Sequence, residues 1–181
     1  MMEIISTGIE GLTVIEPSVF TDARGFFMEG FNKNSLSSVG IDINVVQTNI
    51  SESCKGVVRG LHFQNPPYGQ GKLIRVLKGS VLDVAVDLRK GSQTYGEHFA
   101  IQLSEENKLA LWIPVGFAHG FSTLADKTLF YYDCTETYHK ESEGSLRWND
   151  PDLNIDWGVK NPILSEKDAN APLFKDFKTQ F

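Results

Sequence analysis

Several titratable side chains stand inside segments of this chain that are otherwise apolar. Arg59 precedes His62 by three residues, Lys72 opens an apolar run, and His119 lies between glycines and aromatic residues. A buried imidazole without a partner is costly, so His119 needs a hydrogen-bond partner or a function. Imidazole and ammonium groups in such places are candidates for acid–base chemistry, although a lysine at the end of a strand is commonly only solvated.

The spacing of Arg59 and His62 constrains the strand that carries them. Residues three apart in a regular strand face opposite sides of the sheet. Gly60 lies between them and would permit a bulge or bend that brings both side chains to one side. The alternative is a surface or salt-bridged arginine beside a half-buried histidine. A bulge at Gly60 would therefore favour the functional interpretation.

Two adjacent tyrosines supply a further candidate. Tyr131 and Tyr132 lie in the apolar segment 130–133, and Tyr138 follows shortly after it. Neighbouring residues of a strand face opposite sides, so we expect one of the pair to point into any cavity that the sheet borders. A core tyrosine with a satisfied hydroxyl is the alternative.

The spacing of possible ligands disfavours a metal centre. The four histidines include no His-x-His or His-x-x-x-His pair, and no glutamate follows His62 closely, as a cupin-type metal set would require. Cys54 and Cys134 are far apart and lack CxxC spacing, so they indicate neither a zinc site nor a disulfide framework. We expect no metal, and a metal-dependent cupin oxygenase is the disfavoured alternative.

The segments that must position these residues have the pattern of strands. Glycines and prolines divide the chain into short runs rich in Val, Ile, Phe and Tyr, which is typical of an all-β domain. The clearest strand is Val81–Leu88, whose even-numbered residues form an apolar face and whose odd-numbered residues form a partly polar one. Lys72–Leu77 precedes it across a turn that contains Gly79, which predicts a hairpin.

Further strands complete an all-β prediction with little helix. They are expected at Leu12–Glu16, Phe26–Gly30, Val45–Asn49, Val57–His62, Phe99–Leu103, Ala110–Pro114, Gly120–Leu124 and Leu129–Thr135. So many short strands at close spacing favour a sandwich or a jelly roll. Helix is expected only at Lys33–Val39 and in the C-terminal third, where Ser165 and Asp168 match the [ST]-x-x-[DE] signature of a helix start.

Length, composition and charge exclude other classes of protein. The 181 residues are 41% hydrophobic and 22% charged, which predicts one globular domain without stabilising crosslinks. With 17 basic and 23 acidic side chains the formal charge is −6, which argues against a partner such as nucleic acid or an anionic membrane. No apolar stretch approaches the ~20 residues of a membrane span. We expect a cytoplasmic protein in a reducing compartment.

Six motifs, taken together and in order, resemble one family. They are Phe20-x-Asp22-x-Arg24-Gly25-x-Phe27-x-Glu29, Arg59-Gly60-Leu61-His62-Phe63-Gln64, Pro66-Pro67-Tyr68-x-Gln70-x-Lys72-Leu73, Asp83-Val84-Ala85-Val86-Asp87-Leu88-Arg89, Trp112-Ile113-Pro114-x-Gly116-Phe117-Ala118-His119-Gly120-Phe121 and Leu164-Ser165-Glu166-Lys167-Asp168. The chain resembles the dTDP-4-dehydrorhamnose 3,5-epimerase (RmlC) family from about Ile9 to about Leu173. The resemblance implies a single RmlC-like cupin domain over residues 1–181, an all-β jelly roll that acts as a homodimer without metal or organic cofactor.

The resemblance also implies a reaction. The family converts dTDP-4-dehydro-6-deoxy-glucose by inversion at C3 and C5 on the route to dTDP-L-rhamnose and thus to polysaccharide. Both carbons flank the C4 ketone, so their protons are removable when the developing enolate is stabilised. By motif match, His62 would be the base, Asp168 would orient it, Lys72 would stabilise the C4 oxygen, and Tyr132 would be the acid. Asp168 has a competing interpretation, in which it only completes the helix cap with Ser165.

The remaining matched positions resemble substrate-binding residues. They are Arg24, Glu29, Gln47, Asn49, Arg59, His119, Tyr138, Glu143 and Lys167. The cations among them suit a diphosphate, so a locally positive pocket would let an acidic protein bind an anionic dTDP-sugar. Phe20 and Phe27 would stack near the thymine, although phenylalanines on an N-terminal strand are commonly core residues.

Two departures from the family pattern leave alternatives open. Thr48 stands where the family is expected to have aspartate, and the stretch 133–137 is more acidic than expected. One alternative is an epimerase that inverts only C3 or only C5 of a related deoxysugar. Another is a nucleotide-sugar binding module without activity, because a fold alone does not imply catalysis.

Overall fold

The computed structural model describes residues 2–181 and is built almost entirely of strands. The strands are β1 (Glu3–Ser6), β2 (Thr13–Glu16), β3 (Val19–Asp22), β4 (Gly25–Met28), β5 (Gln47–Ser53), β6 (Val58–Gln64), β7 (Lys72–Lys78), β8 (Ser80–Asp87), β9 (His98–Ser104), β10 (Ala110–Ile113), β11 (Phe117–Thr123), β12 (Thr128–Cys134) and β13 (Glu143–Ser145). The helices are α1 (Lys33–Ser38), α2 (Glu166–Ala169) and 3₁₀ turns at Lys140–Ser142 and Phe174–Asp176.

Two antiparallel sheets face each other across an apolar core. One has six strands in the order β1-β2-β10-β7-β12-β5, and the other has five in the order β13-β6-β11-β8-β9. The inner core contains side chains from both, including Ile74, Ala85, Leu111, Phe121 and Phe130. A two-stranded hairpin, β3-β4, belongs to neither sheet. The jelly-roll prediction is therefore confirmed.

The outer faces of both sheets are covered by different parts of the chain. The C-terminal part packs on the five-stranded sheet through residues such as Leu146, Leu153 and Trp157. The α1 region packs on part of the six-stranded sheet through Leu36 and Ile43. The strand Val81–Leu88 was predicted to have two different faces, and its residues indeed divide between the inner core and the outer cluster.

The predicted hairpin of β7 and β8 is wrong. The two strands lie in different sheets: β7 pairs with β10 and β12, whereas β8 pairs with β9 and β11. Both edges of each strand are therefore occupied by other strands. Gly79 connects them in a left-handed conformation with φ +78°, and a Cβ at this position would collide with Thr128. The turn that a hairpin would use here carries the chain from one sheet to the other.

Other boundaries differ from the predictions in ways that tertiary contacts explain. Strand β5 was expected at Val45–Asn49. It runs instead from Gln47 to Ser53, because all of these residues pair with β12. Strands β1, β3 and β13 were not predicted. The residues of β1 and β3 are exposed, and β13 contains Glu-Gly-Ser, which has little strand preference and pairs with β6.

The predicted helices are present. The carboxamide of Asn32 caps α1, and the hydroxyl of Ser165 accepts a hydrogen bond from the backbone N–H of Asp168 at 3.1 Å. Cys54 is exposed and Cys134 is buried, and both are free thiols. Among residues 2–181, no helix combines the length and the apolar character that crossing a membrane requires.

Candidate active site

A cavity of about 430 Å³ lies between the two sheets and is closed on one side by the segment that leads into α2. Strands β5, β6, β7, β11 and β12 all contribute to its wall. The lining residues are Ser51, Val57, Val58, Arg59, His62, Lys72, His119, Phe121, Phe130, Tyr132, Ile163, Leu164, Ser165, Lys167 and Asp168. The cavity thus brings together the four residues expected to be catalytic and three of those expected to bind substrate.

A bulge in β6 places Arg59 and His62 on the same side. His62 pairs with His119 and Arg59 pairs with Phe121, so β6 uses one more residue than β11 between these two pairings. Gly60 has φ +130°, and a Cβ there would lie 2.5 Å from the Cα of Gly120. Only glycine fits this close approach. The sequence left open whether Gly60 forms a bulge, and the structure has one at this position.

His62 forms a hydrogen-bonded pair with Asp168. Its Nε2 lies 2.6 Å from Oδ1 of Asp168, and the two side chains are 34% and 4% exposed. Burial alone would raise the pKa of Asp168, but the hydrogen bond and charge of His62 outweigh it, so the pKa lies below its ordinary value. The cap of α2 uses the backbone N–H of Asp168, so the carboxylate is free to hold His62. The two interpretations of Asp168 are compatible.

Lys72 and Tyr132 lie on the opposite sheet. Lys72 is 9% exposed, burial lowers its pKa, and its Nζ lies 6.0 Å from the centre of the Tyr132 ring. Tyr132 lines the cavity, whereas Tyr131 donates a hydrogen bond to Asp133 outside it, so the expected opposite orientation is confirmed. Burial raises the pKa of Tyr132, which keeps the phenol protonated at neutral pH. The cavity therefore has an imidazole on one sheet and an ammonium and a phenol on the other.

His119 has the partner that its setting requires. Its Nε2 lies 3.0 Å from Oδ2 of Asp83, and both residues are buried. Burial lowers the pKa of His119, and the nearby Asp83 only partly opposes this effect. Asp83 lies in one of the six motifs but was not predicted to have a role, because nothing in the residue spacing indicates that β8 and β11 pair at this point.

Arg59 supplies a fixed cation. Its Nε donates to the hydroxyl of Ser53 at 3.1 Å, and its Nη2 donates to the carbonyl of Glu52 at 3.4 Å. Ser53 and the cavity-lining Ser51 were missed by the sequence reasoning. The available signal was the strand period of two, which places Gln47, Asn49, Ser51 and Ser53 on one face, and the structure makes this the more buried face.

Four more of the expected binding residues are connected to one another or to Lys167 by hydrogen bonds and an ion pair. The backbone N–H of Tyr138 donates to Gln47 at 2.9 Å, and Gln47 donates to Asn49 at 3.0 Å. The hydroxyl of Tyr138 donates to Glu143 at 3.2 Å, and Lys167 forms an ion pair with Glu143. Burial would raise the pKa of Glu143, but the bond to Lys167 outweighs it and the pKa is lowered.

Arg24 and Glu29 are not brought to this cavity. Arg24 is in the β3-β4 hairpin, where it pairs with Asp22 at 2.6 Å and its side chain is 90% exposed. Glu29 follows the hairpin and accepts hydrogen bonds from Asn32 and Ser35. Phe20 and Phe27 are 65% and 67% exposed, so the alternative that they are core residues is wrong.

In the part of the chain that the structure describes, residues 2–181, no group of three or more His, Cys, Asp or Glu side chains could hold a metal ion. The expectation of a reaction without metal or organic cofactor stays a prediction.

The fold and the cavity define a class of protein, a jelly-roll protein with acid–base groups facing each other across its core. The sequence model of the family described as dTDP-4-dehydrorhamnose 3,5-epimerase matches residues 6–176. The chain belongs to this family, and its fold is the cupin-like jelly roll.

Individual relatives agree with this assignment. The dTDP-4-dehydrorhamnose 3,5-epimerase of Shigella flexneri is 50% identical over 176 residues, which cover 97% of each chain. A crystal structure of dTDP-6-deoxy-D-glucose-3,5-epimerase RmlC from Legionella pneumophila, in complex with dTDP-4-keto-L-rhamnose, is 48% identical with a TM-score of 0.94 and covers 98% of this chain and 95% of that one. A dTDP-4-dehydrorhamnose 3-epimerase of Streptomyces niveus is 36% identical, over 97% of this chain and 85% of its own length.

Proposed function

We propose that this chain is a dTDP-4-dehydrorhamnose 3,5-epimerase, an isomerase of dTDP-L-rhamnose biosynthesis. It converts dTDP-4-dehydro-6-deoxy-α-D-glucose to dTDP-4-dehydro-β-L-rhamnose. The observation that carries the proposal is the placement of the His62–Asp168 pair on one side of the cavity and of Lys72 and Tyr132 on the other. Inversion at carbon needs proton removal from one face and proton delivery to the opposite face, and this arrangement provides both.

The chemistry follows from the groups in the cavity. His62 takes the proton from a carbon next to the C4 ketone, and the C–H electron pair becomes the C=C bond of an enolate. The negative charge that develops on the C4 oxygen is stabilised by the Lys72 ammonium. Tyr132 then donates its phenolic proton to the other face of the same carbon. Solvent returns a proton to Tyr132 and accepts one from His62, and the sequence repeats at the second carbon.

Local positive charge supports binding of a diphosphate by an acidic chain. The Arg59 guanidinium uses two of its N–H groups on Ser53 and Glu52, and its remaining donors are available to phosphate oxygens. Lys167 also lines the cavity. These cations offset the formal charge of −6 at the place where the substrate would lie.

The β3-β4 hairpin supports a homodimer. It exposes Phe20, Phe26 and Phe27 and carries Arg24 outside the chain's own cavity. An exposed apolar surface of this kind is typical of an interface, and a second copy of the chain would cover it. If the hairpin reaches the partner's cavity, Arg24 and Glu29 act there as substrate-binding residues.

Light scattering is therefore expected to give twice the mass of one chain at micromolar concentration. The double variant Phe20→Asp/Phe27→Asp is expected to shift the protein to a monomer and to weaken dTDP binding at least about tenfold, because charged hairpins cannot be buried together. Tyr95→Asp, which changes another exposed side chain outside the hairpin, is the control and should leave the mass unchanged. A wild-type monomer would contradict the dimer.

Replacing Tyr132 with phenylalanine is expected to separate proton abstraction from inversion. The variant keeps His62, so the substrate should still exchange protons with solvent, but without the opposing phenol the inverted product should form at least about 100-fold more slowly. Deuterium incorporation and product stereochemistry are measured together by NMR. Tyr131→Phe is the matched control, since Tyr131 points away from the cavity. Normal inversion at both centres by the Tyr132 variant would place the acid elsewhere.

The proposed function is tested by incubating the purified protein with dTDP-4-dehydro-6-deoxy-glucose and reading the couplings of the sugar protons. Appearance of the L-rhamno configuration is the expected result. A product inverted at one carbon only would indicate a mono-epimerase. An unchanged substrate that still binds would indicate a binding module.

A further inference from the structure

His119 lines the cavity and forms a second His–Asp pair with Asp83, which is buried behind it. His119 and Asp83 are 6% and 0% exposed, whereas the side chain of His62 is 34% exposed. Oδ2 of Asp83 forms the hydrogen bond with His119, whereas Oδ1 is buried without a hydrogen-bond partner. A carboxylate in this position must be compensated by nearby charge or by its hydrogen bonds.

The bond to Asp83 determines which nitrogen of His119 is free. An ionised carboxylate only accepts hydrogen bonds, so Nε2 of His119 carries a hydrogen and donates it. Burial lowers the pKa of the imidazole, so the ring is neutral at neutral pH and its Nδ1 keeps a lone pair. His119 lines the cavity and is the residue opposite His62 in the pairing of β11 with β6. Its Nδ1 is therefore an acceptor suited to a sugar hydroxyl.

The carboxylate of Asp83 also places negative charge near the Lys72 ammonium. The groups that face this ammonium are Asp83 on β8, Glu143 on β13, His119 on β11, and Tyr132 and Cys134 on β12. No carboxylate lies within 4.0 Å of the Lys72 ammonium in the described residues 2–181, so no direct ion pair keeps it charged. Of the two nearby carboxylates, Glu143 is already paired with Lys167. Asp83 is the one that has an unused oxygen.

We propose that Asp83 is a positioning residue with two effects: it holds His119 as a neutral acceptor for a substrate hydroxyl, and it keeps Lys72 protonated for stabilisation of the enolate. This inference rests on the proposed function, because both effects concern the same reaction. The two His–Asp pairs then have different roles. The His62–Asp168 pair, whose imidazole is half-buried, exchanges protons with substrate and solvent, and the buried His119–Asp83 pair holds its protons in place.

The kinetic test is the pH profile of Asp83→Asn. Burial already lowers the pKa of Lys72, and the negative charge of Asp83 raises it. Removing that charge lowers the pKa further, so the protonated, active form is lost at lower pH. The alkaline limb of kcat/KM is expected to move down by at least about one pH unit, with partial recovery of activity when the pH is lowered.

Asp87→Asn is the matched control. Asp87 is on the same strand and is also fully buried, but it is held by Arg89, Ser92 and Thr94 away from the cavity. Its loss is expected to lower stability and to leave the alkaline limb where it is in the wild type. If Asp83→Asn behaves in the same way, Asp83 has only a structural role and the proposal is wrong.

A second measurement does not depend on turnover or on the folding of a variant. In ¹⁵N-histidine-labelled wild-type protein, the His119 ring is expected to remain in the Nε2–H form, with an unprotonated Nδ1, from about pH 6 to pH 8. A His119 that becomes an imidazolium in this range would overturn the proposal. If the wild type does not convert the dTDP-sugar, the proposed function is wrong. The tautomer of His119 is still measured independently, because it requires no turnover.

Discussion

His62→Asn is expected to lower kcat by about 10²–10⁴-fold with little change in KM. Asparagine keeps roughly the size of the side chain, but its amide cannot accept the proton from the carbon beside the ketone. Because the interaction acts in the transition state, loss of His62 should affect turnover more than binding. His98→Asn is the matched control, since His98 lies at the start of β9 and does not line the cavity.

Asp168→Asn is expected to lower kcat as well, since an amide does not hold the imidazole in the orientation that a carboxylate does. The lowered pKa of Asp168 means that this group stays ionised as the pH falls through the neutral range. The contribution of Asp168 to the free energy of unfolding is fully present above the ordinary pKa of aspartate, about 3.9. It is lost only as the pH falls through the lower pKa that Asp168 has in the folded protein. Wild-type rates in both His62→Asn and Asp168→Asn would remove the pair from the mechanism.

Lys72→Met is expected to lower the activity without lowering the stability of the protein. Methionine matches the length of the apolar part of lysine but has no charge, so kcat should fall by about 10²–10³-fold while the affinity for dTDP changes little. Burying an ammonium is costly, and the lowered pKa of Lys72 reflects that cost. The variant should therefore be as stable as the wild type, or more so, in thermal unfolding at neutral pH.

Lys78→Met is the control for this experiment, because Lys78 lies at the exposed end of the same strand. It should have wild-type kcat. A Lys72→Met variant that loses affinity alone, with unchanged kcat, would show that the ammonium only binds the substrate. A variant that unfolds more easily would show that Lys72 is a structural residue.

The parts of the fold that follow local rules were predictable from the sequence. The alternation within 81–88 predicted two different faces, because strand geometry alone determines it. Gly60 indicated that a bulge between Arg59 and His62 was possible, because glycine adopts the backbone conformation that a bulge requires. Ser165 predicted the start of α2 through its side-chain chemistry.

Features that depend on distant partners were not predictable. The turn at Gly79 has the composition of a hairpin, but β10 and β12 occupy the edges of β7, so the chain crosses to the other sheet. The pairing of Asp83 with His119 depends on the register of two strands, which no short motif encodes. The resemblance suggested Arg24 and Glu29 as binding residues, and the single chain places them outside its own cavity.

If one cavity inverts two carbons by proton transfer on opposite faces, both carbons must exchange their protons with solvent during the reaction. The purified protein is incubated with dTDP-4-dehydro-6-deoxy-glucose in D₂O, and proton NMR follows the C3 and C5 signals separately. We predict deuterium at both carbons together with the couplings of the inverted sugar. Exchange at C3 alone, or at neither carbon, would contradict a 3,5-epimerase.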